Sequence, residues 1–397
     1  MTDADLASPA LHASPRPALR VIARSELLPL PIRAEAERAL GFPVAFEMID
    51  DDSALRRVIG APDSFDVYHQ WHTVDLIWTG AAVQPIDISR IAQGEAISAL
   101  ARRQTGSVGL APIFRKVFLQ PDGHLGPAPT SQLAILPIVH GADCFAYRPQ
   151  LREILGPDER ESWGWLLDPR LHGQVAMLSD PVLGMLEAAL ATEAHLGVAF
   201  EDIGNLSIED IDLIADGLIQ RKKLGHFRAI WENYEESARL MRRGGVLAQS
   251  MFGPGAALLR RQGVPLRIAD AIEGTRGWHV DLCISRETSG EMLEASYAYL
   301  NWWCGGWPTA CLSRQGYYAI LPEQARRHLS PAEWDYWYRG LPAATELTDP
   351  LGQVAVAKGD LREGGSYAER MSRVRVWNTY MDEHAYLIRR WREFLAA

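Results

Sequence analysis

His69 and His72 stand three apart, and a third ligand that would make them a metal centre is not evident, since such sites need three or four donors. The cysteines, Cys144, Cys283, Cys304 and Cys311, form no Cys-x-x-Cys pair and show no zinc spacing with histidine. Their apolar neighbours suggest inert buried thiols. Cys304 and Cys311 could share one helix face, though their separation is too long for a disulfide within a straight helix. No nucleophile elbow, Walker loop or Gly-x-Gly-x-x-Gly follows a strand-like run, and Gly253-Pro254-Gly255 reads as a turn beside a hinge. The sequence therefore carries no catalytic apparatus and implies no cofactor. What remains is binding chemistry, in short segments that combine charge with aromatic rings: Arg24-Ser25-Glu26, Trp71-His72, Asp180, Phe252, and Trp278 to Asp281. Cations gain about 0.5 to 2 kcal/mol over aromatic faces, and a desolvated ammonium needs a carboxylate partner. Some of these residues have plain structural uses: Ser25 near a helix cap, and Asp180 as an N-cap with Pro181 in the first helical position.

The segments follow apolar runs that alternate with helical ones. Leu19 to Ala23 reads as a strand, 31–40 as a helix, 43–49 as a strand, 53–59 as a helix and 65–68 as a strand. That alternation marks a parallel sheet with crossover helices. Beyond a Pro/Gly-rich loop (121–129), Leu133 to Val139 reads as one buried strand. A second alternating stretch follows, with a strand at 175–178, a helix from Pro181, helices at 207–223 and 235–243, and a strand at 245–250. Strand-like runs at 265–271 and 278–285 and a helix over 290–304 read as a return to the first half. The expected organisation is an α/β chain of two lobes with strand hinges: a disordered lead over 1–18, lobe 1 from 19–138 and 270–345, lobe 2 from 139–269, and a helical segment over 346–397 packed on both. In such folds ligands sit where strand ends of the two sheets face each other.

At 397 residues the chain exceeds one ordinary core, and 47% apolar with 23% charged residues excludes a largely disordered protein. A formal charge of -10 argues against phosphate-backbone binding, so no nucleic-acid partner is expected. No segment has the roughly 18 to 20 apolar residues of a membrane span, and the first residues lack the basic start and apolar core of a secretory signal. Thirteen tryptophans leave rings available for a ligand site.

Over nearly all of 19–397 the chain resembles the spermidine/putrescine-binding proteins of polyamine-type ABC importers. The resemblance rests on Phe65-Asp66-Val67, on Ser162 to Val175 (SWGWLLDPRLHGQV), on Ser179-Asp180-Pro181, on Ile272-Glu273-Gly274 followed by Trp278, and on 367–391 with Val376-Trp377-Asn378-Thr379. It implies a monomeric binding protein outside the cytoplasmic membrane, delivering a small solute to an ABC permease by hinge closure. Carried over by residue, the binding positions fall on 24–27, Trp71 to Thr73, Asp180, Met251-Phe252 and Trp278. The chain departs from the family pattern at Leu183 and Val280, where acids are usual, and adds Arg24. This favours a monoamine or amino-acid-like zwitterion over a long polycation, with its carboxylate on Arg24 or Arg276 in a bidentate fork. A neutral solute such as a sugar, or a cytoplasmic regulator or enzyme on the same fold, are the alternatives.

Overall fold

The computed structural model describes residues 17–103 and 110–397, so the lead expected over 1–18 lies outside the described residues up to residue 16. Two large sheets organise the chain, one of eight strands and one of five. The first takes β1 (Leu19–Ala23), β2 (Val44–Met48), β3 (Val67–Gln70), β4 (Val83–Gln84) and β5 (Leu136–Asp143). The second takes β6 (Phe145–Tyr147), β7 (Val175–Leu178), β8 (Phe227–Trp231), β9 (Ala248–Ser250) and β10 (Arg267–Ile268). The chain then returns to the first sheet with β11 (Thr275–Ser285), β12 (Tyr318–Ala319) and β13 (Val374–Trp377). Each sheet has its own hydrophobic core.

β1 is flanked by β2 and β3 in parallel, as the strand and helix alternation requires, and β11 closes against β3 and β5 in antiparallel register. In the second sheet β7 lies parallel to β8 and β9. These parallel strands aim their carboxyl ends at one crevice. From β1 the chain turns at Arg24 before α1 (Leu30–Leu40), and from β3 it turns at Trp71. From β7 it passes Ser179 and Asp180 into α2 (Pro181–Leu196). Asp180 Oδ1 accepts the backbone N–H of Leu183 at 2.8 Å, Pro181 fills the first turn, and Gly197 ends the helix at φ 68°.

The chain crosses between the sheets three times: at Asp143–Cys144, between β10 and β11, and after β13. The last crossing leads into α3 (His384–Ala396), whose Leu387, Trp391 and Phe394 complete the core of the second lobe. The indole N–H of Trp391 donates to Ser179 O at 2.7 Å, and its ring lies so close to Gly184 that α2 has no room there for a side chain.

Several elements differ from the sequence expectation. The run from Leu133 to Val139 divides, with Gln132–Leu133 in a small separate sheet and β5 carrying the large one to Asp143, past residue 138. A continuous apolar run does not state which sheet it joins. The 346–397 segment is only partly helical, because Val374-Arg375-Val376-Trp377 pairs with β11 as a strand. Gly253-Pro254-Gly255 opens a helix (Gly253–Arg261) in place of a turn, with Pro at its start. Cys304 and Cys311 belong to separate helices, Gly290–Cys304 and Trp307–Ser313; both are free and buried, and burial pushes each thiol up to about 12. No helix of the described residues is long and apolar enough to cross a membrane.

Candidate functional site

Between the two sheets lies a cavity of about 430 Å³, its mouth included. Seven of the expected site residues line it: Arg24 and Glu26 after β1, Trp71 and His72 after β3, Phe252 after β9, and Arg276 and Trp278 on β11. Ser25 and Asp180 stand beside it in a wider open cleft that shares Arg24, Glu26 and Phe252. Asp281 lines neither.

Rings form a large part of the wall. Trp71 and Trp278 lie 5.3 Å apart between centroids, and Trp278 meets Tyr317 edge to face at 4.7 Å. The Arg24 guanidinium rests 5.1 Å from the Trp71 centroid and 6.0 Å from that of Phe252, and it donates to Glu26 Oε1 at 3.1 Å. The Trp71 indole N–H is buried without a hydrogen-bond partner among the described residues. His72 stacks on Tyr380 at 5.5 Å. His69 sits inside the first lobe against the Tyr299 hydroxyl (2.8 Å), and no group of three metal-binding side chains occurs among the described residues.

At the opposite end of the cavity the arrangement changes. Arg276, 1% exposed, directs Nε to Glu187 Oε1 (3.1 Å), Nη1 to Asn378 Oδ1 (2.7 Å) and Nη2 towards Asp143 Oδ2 (3.5 Å). Burial raises the carboxyls of both Asp143 and Glu187, and the Arg276 charge opposes that rise in each. The expectation that Arg276 offers a fork to a ligand carboxylate meets competing partners: three of its five N–H donors are already engaged by three groups, and the side chain is buried. Asp143, Arg276 and Asn378 each sit at one of the three crossings, while Glu187 comes from α2 of the second lobe, so the cluster ties the hinge region together.

The expectation for Asp281 is corrected. It lies wholly buried behind the wall, accepting from His279 Nδ1 at 2.8 Å and from the Gln70 amide, and burial raises its carboxyl. Gln70 Oε1 in turn accepts the Thr73 N–H at 2.8 Å, so Asp281 braces the Trp71 loop from within the lobe. Asp180 is chiefly a helix cap; burial raises its carboxyl, and the Leu183 N–H and the Arg24 charge offset this.

Sequence reasoning missed Asp143, Glu187, Tyr317 and a role for Asn378. Glu187 carried a usable signal, since it interrupts an otherwise apolar stretch from Pro181 to Ala191, where a charge must be paired.

No family model and no curated protein matches the chain. Solved structures do. A protein from Listeria monocytogenes assigned to a spermidine/putrescine ABC transporter superposes with a TM-score of 0.66 at 14% identity, over 95% of this chain and 98% of the other. The spermidine/putrescine ABC transporter substrate-binding protein of Streptococcus pneumoniae gives 0.62 at 13% identity, over 95% and 99%. The fold is that of a two-lobed solute-binding protein. A third chain with this fold, the binding protein AgtB of A. tumefaciens R10 solved with agropinic acid, gives 0.60 at 14% identity, over 96% and 99%. In this fold the cavity at Trp71 and Trp278 lies between the two lobes, beside the three chain crossings that join them.

Proposed function

We propose that the chain is the substrate-binding component of an ABC importer, capturing a small amine or amino-acid-like solute between its lobes. The observation that supports this reading is a cavity with aromatic rings in its wall that also holds both signs of charge, Arg24 with Glu26 beside it at one end and Asp143 at the other. A zwitterion satisfies both signs at once: its carboxylate meets Arg24, its ammonium faces the acids, and its carbon skeleton lies against Trp71, Trp278 and Tyr317. The Trp71 N–H adds a donor for a carboxylate oxygen. Extra contacts available only when both lobes engage the solute stabilise the closed form and mark it as loaded. The protein acts as a monomer outside the cytoplasmic membrane, hands its cargo to a permease, and carries out no chemistry on it.

Calorimetric titration with putrescine, spermidine, γ-aminobutyrate, α-amino acids and glucose tests this, with small-angle scattering to follow closure. One-to-one binding of an amine or amino acid with a decrease in radius of gyration is expected. Binding of glucose alone, or no heat and no compaction across the panel, would overturn it.

A further inference from the structure

A second cleft, about 1880 Å³ with its open mouth included, shares Trp278, Tyr317 and Asp143 with the central cavity. From the side chains that line it we infer a separate site for a small anion, a carboxylate- or phosphate-bearing molecule, held by Arg362 and Arg370. Arg362 is 8% exposed and is held by neutral groups: Nη2 donates to Gly316 O at 2.7 Å, Nη1 donates to Trp337 O, and its guanidinium lies 4.7 Å from the Tyr318 centroid and 4.9 Å from that of Trp337. Arg370 donates to Glu363 O at 2.5 Å and to Ala142 O at 2.9 Å. Among the described residues no carboxylate forms a salt bridge with either guanidinium. Burial, with the nearby Arg370 charge adding to it, draws Arg362 down to about 10, so it stays protonated at neutral pH.

The acids facing this cleft have other duties. Glu363 pairs with Arg260 at 2.7 Å, Asp143 faces Arg276 first and feels the Arg370 charge only as a lesser influence, and Asp360 accepts the Ala357 N–H at 3.0 Å. Arg314, on the same wall, is tied to Glu333 at 2.5 Å. A buried cation such as Arg362 without a dedicated counter-charge is costly, and the half-buried Arg370 beside it adds to that cost. A second observation points the same way. On the wall of this cleft the Trp337 indole N–H and the Arg370 Nε–H are buried with no partner among the described residues. Unused donors gathered around two cations match a ligand that only accepts hydrogen bonds.

The test titrates the full chain with inorganic phosphate and, separately, with succinate, which distinguishes the two sources of the anion. Saturable one-to-one binding of at least one is expected. Arg370→Gln should weaken it roughly tenfold or more, as loss of a charge-assisted contact does. Trp337→Phe, which removes an indole N–H that bonds nothing among the described residues and keeps a ring beside Arg362, should weaken it by a smaller factor and decides the matter if Arg370→Gln does not fold. Arg24→Gln should leave it unchanged, because Arg24 belongs to the central cavity. Binding of neither anion, affinity unaltered by the Arg370 and Trp337 variants, or loss of binding in Arg24→Gln would each overturn the site.

Discussion

Arg24 and Arg276 line one cavity from opposite ends, and their surroundings give them different work. Arg24 lies against Trp71 and Phe252 with Glu26 beside it, at the mouth where the lobes separate. Arg276 is enclosed by Glu187, Asn378 and Asp143, where the chain crosses between sheets. One guanidinium lies against the rings of the cavity wall; the other is tied into the crossings that join the lobes. The contrast shows that residue type and position along a strand do not settle a role. Partners brought from distant parts of the chain do, and Glu187 lies 89 positions from Arg276.

The largest effect is expected at the joint. Arg276→Met strips the counter-charge from Glu187 and Asp143, and breaking a buried ion pair typically costs about 3 to 5 kcal/mol. The thermal or urea midpoint should fall accordingly. Adding Glu187→Leu should restore part of the loss, because it removes one of the stranded charges. If the single variant unfolds like the parent, the hinge cluster does not hold the lobes. Next comes the mouth. Trp71→Ala should lower affinity for the solute that binds by roughly 30- to 100-fold, the range of a buried aromatic anchor, with a much smaller change in the folding midpoint. The two variants thus separate joint from mouth by which measurement each one moves.

Acid distinguishes the regions again. His69 on β3 and His140 on β5 are both held by burial near 3, far below the ordinary 6.5. The unfolded chain takes up protons as pH falls below about 6.5 while the folded one does not until about 3, so stability is lost across that window at about 1.4 kcal/mol per pH unit for each histidine. The raised carboxyls of Glu187 and Asp143 act in the opposite sense. There the folded form keeps protons that the unfolded chain has released, and their contribution falls as pH rises from the ordinary carboxylate range to their own values. The two histidines should therefore pull the thermal midpoint down on acidification from pH 7 to 5, against the carboxyls, and His140→Gln should raise the midpoint at pH 5 relative to that at pH 7 compared with the parent. A slope untouched by His140→Gln would place the acid sensitivity elsewhere.

The mouth was legible in the sequence and the joint was not, for a physical reason. Arg24, Glu26, Trp71, Phe252 and Trp278 follow or begin apolar runs of strand length, and strand ends in a two-sheet α/β fold must face a crevice. The helix over 290–304 and the strand at 175–178 were legible from the same local periodicity. Pairing across the hinge leaves no periodic mark. Val374 to Trp377 is too short, and too embedded in polar sequence, to announce itself as a strand of the first sheet. Leu133 to Val139 carries hydrophobicity enough for a buried strand but no information on where one sheet ends and another begins.

Asp281 offers the finest division between lining a cavity and supporting it. It follows Trp278 by three positions on β11, shares a side of the strand with His279, and reaches the site only through the Gln70 amide and the Thr73 N–H. An asparagine there puts an NH2 donor in place of one carboxylate oxygen, so of the contacts now made separately to Oδ1 by His279 and to Oδ2 by Gln70 one loses its acceptor. Asp281→Asn should therefore shift solute affinity by no more than about threefold, the scale of one weakened neutral hydrogen bond acting at a distance. A loss equal to that of Trp71→Ala in the same titration would put the Asp281 carboxylate against the solute, and the separation of wall from brace would then have to be redrawn around β11.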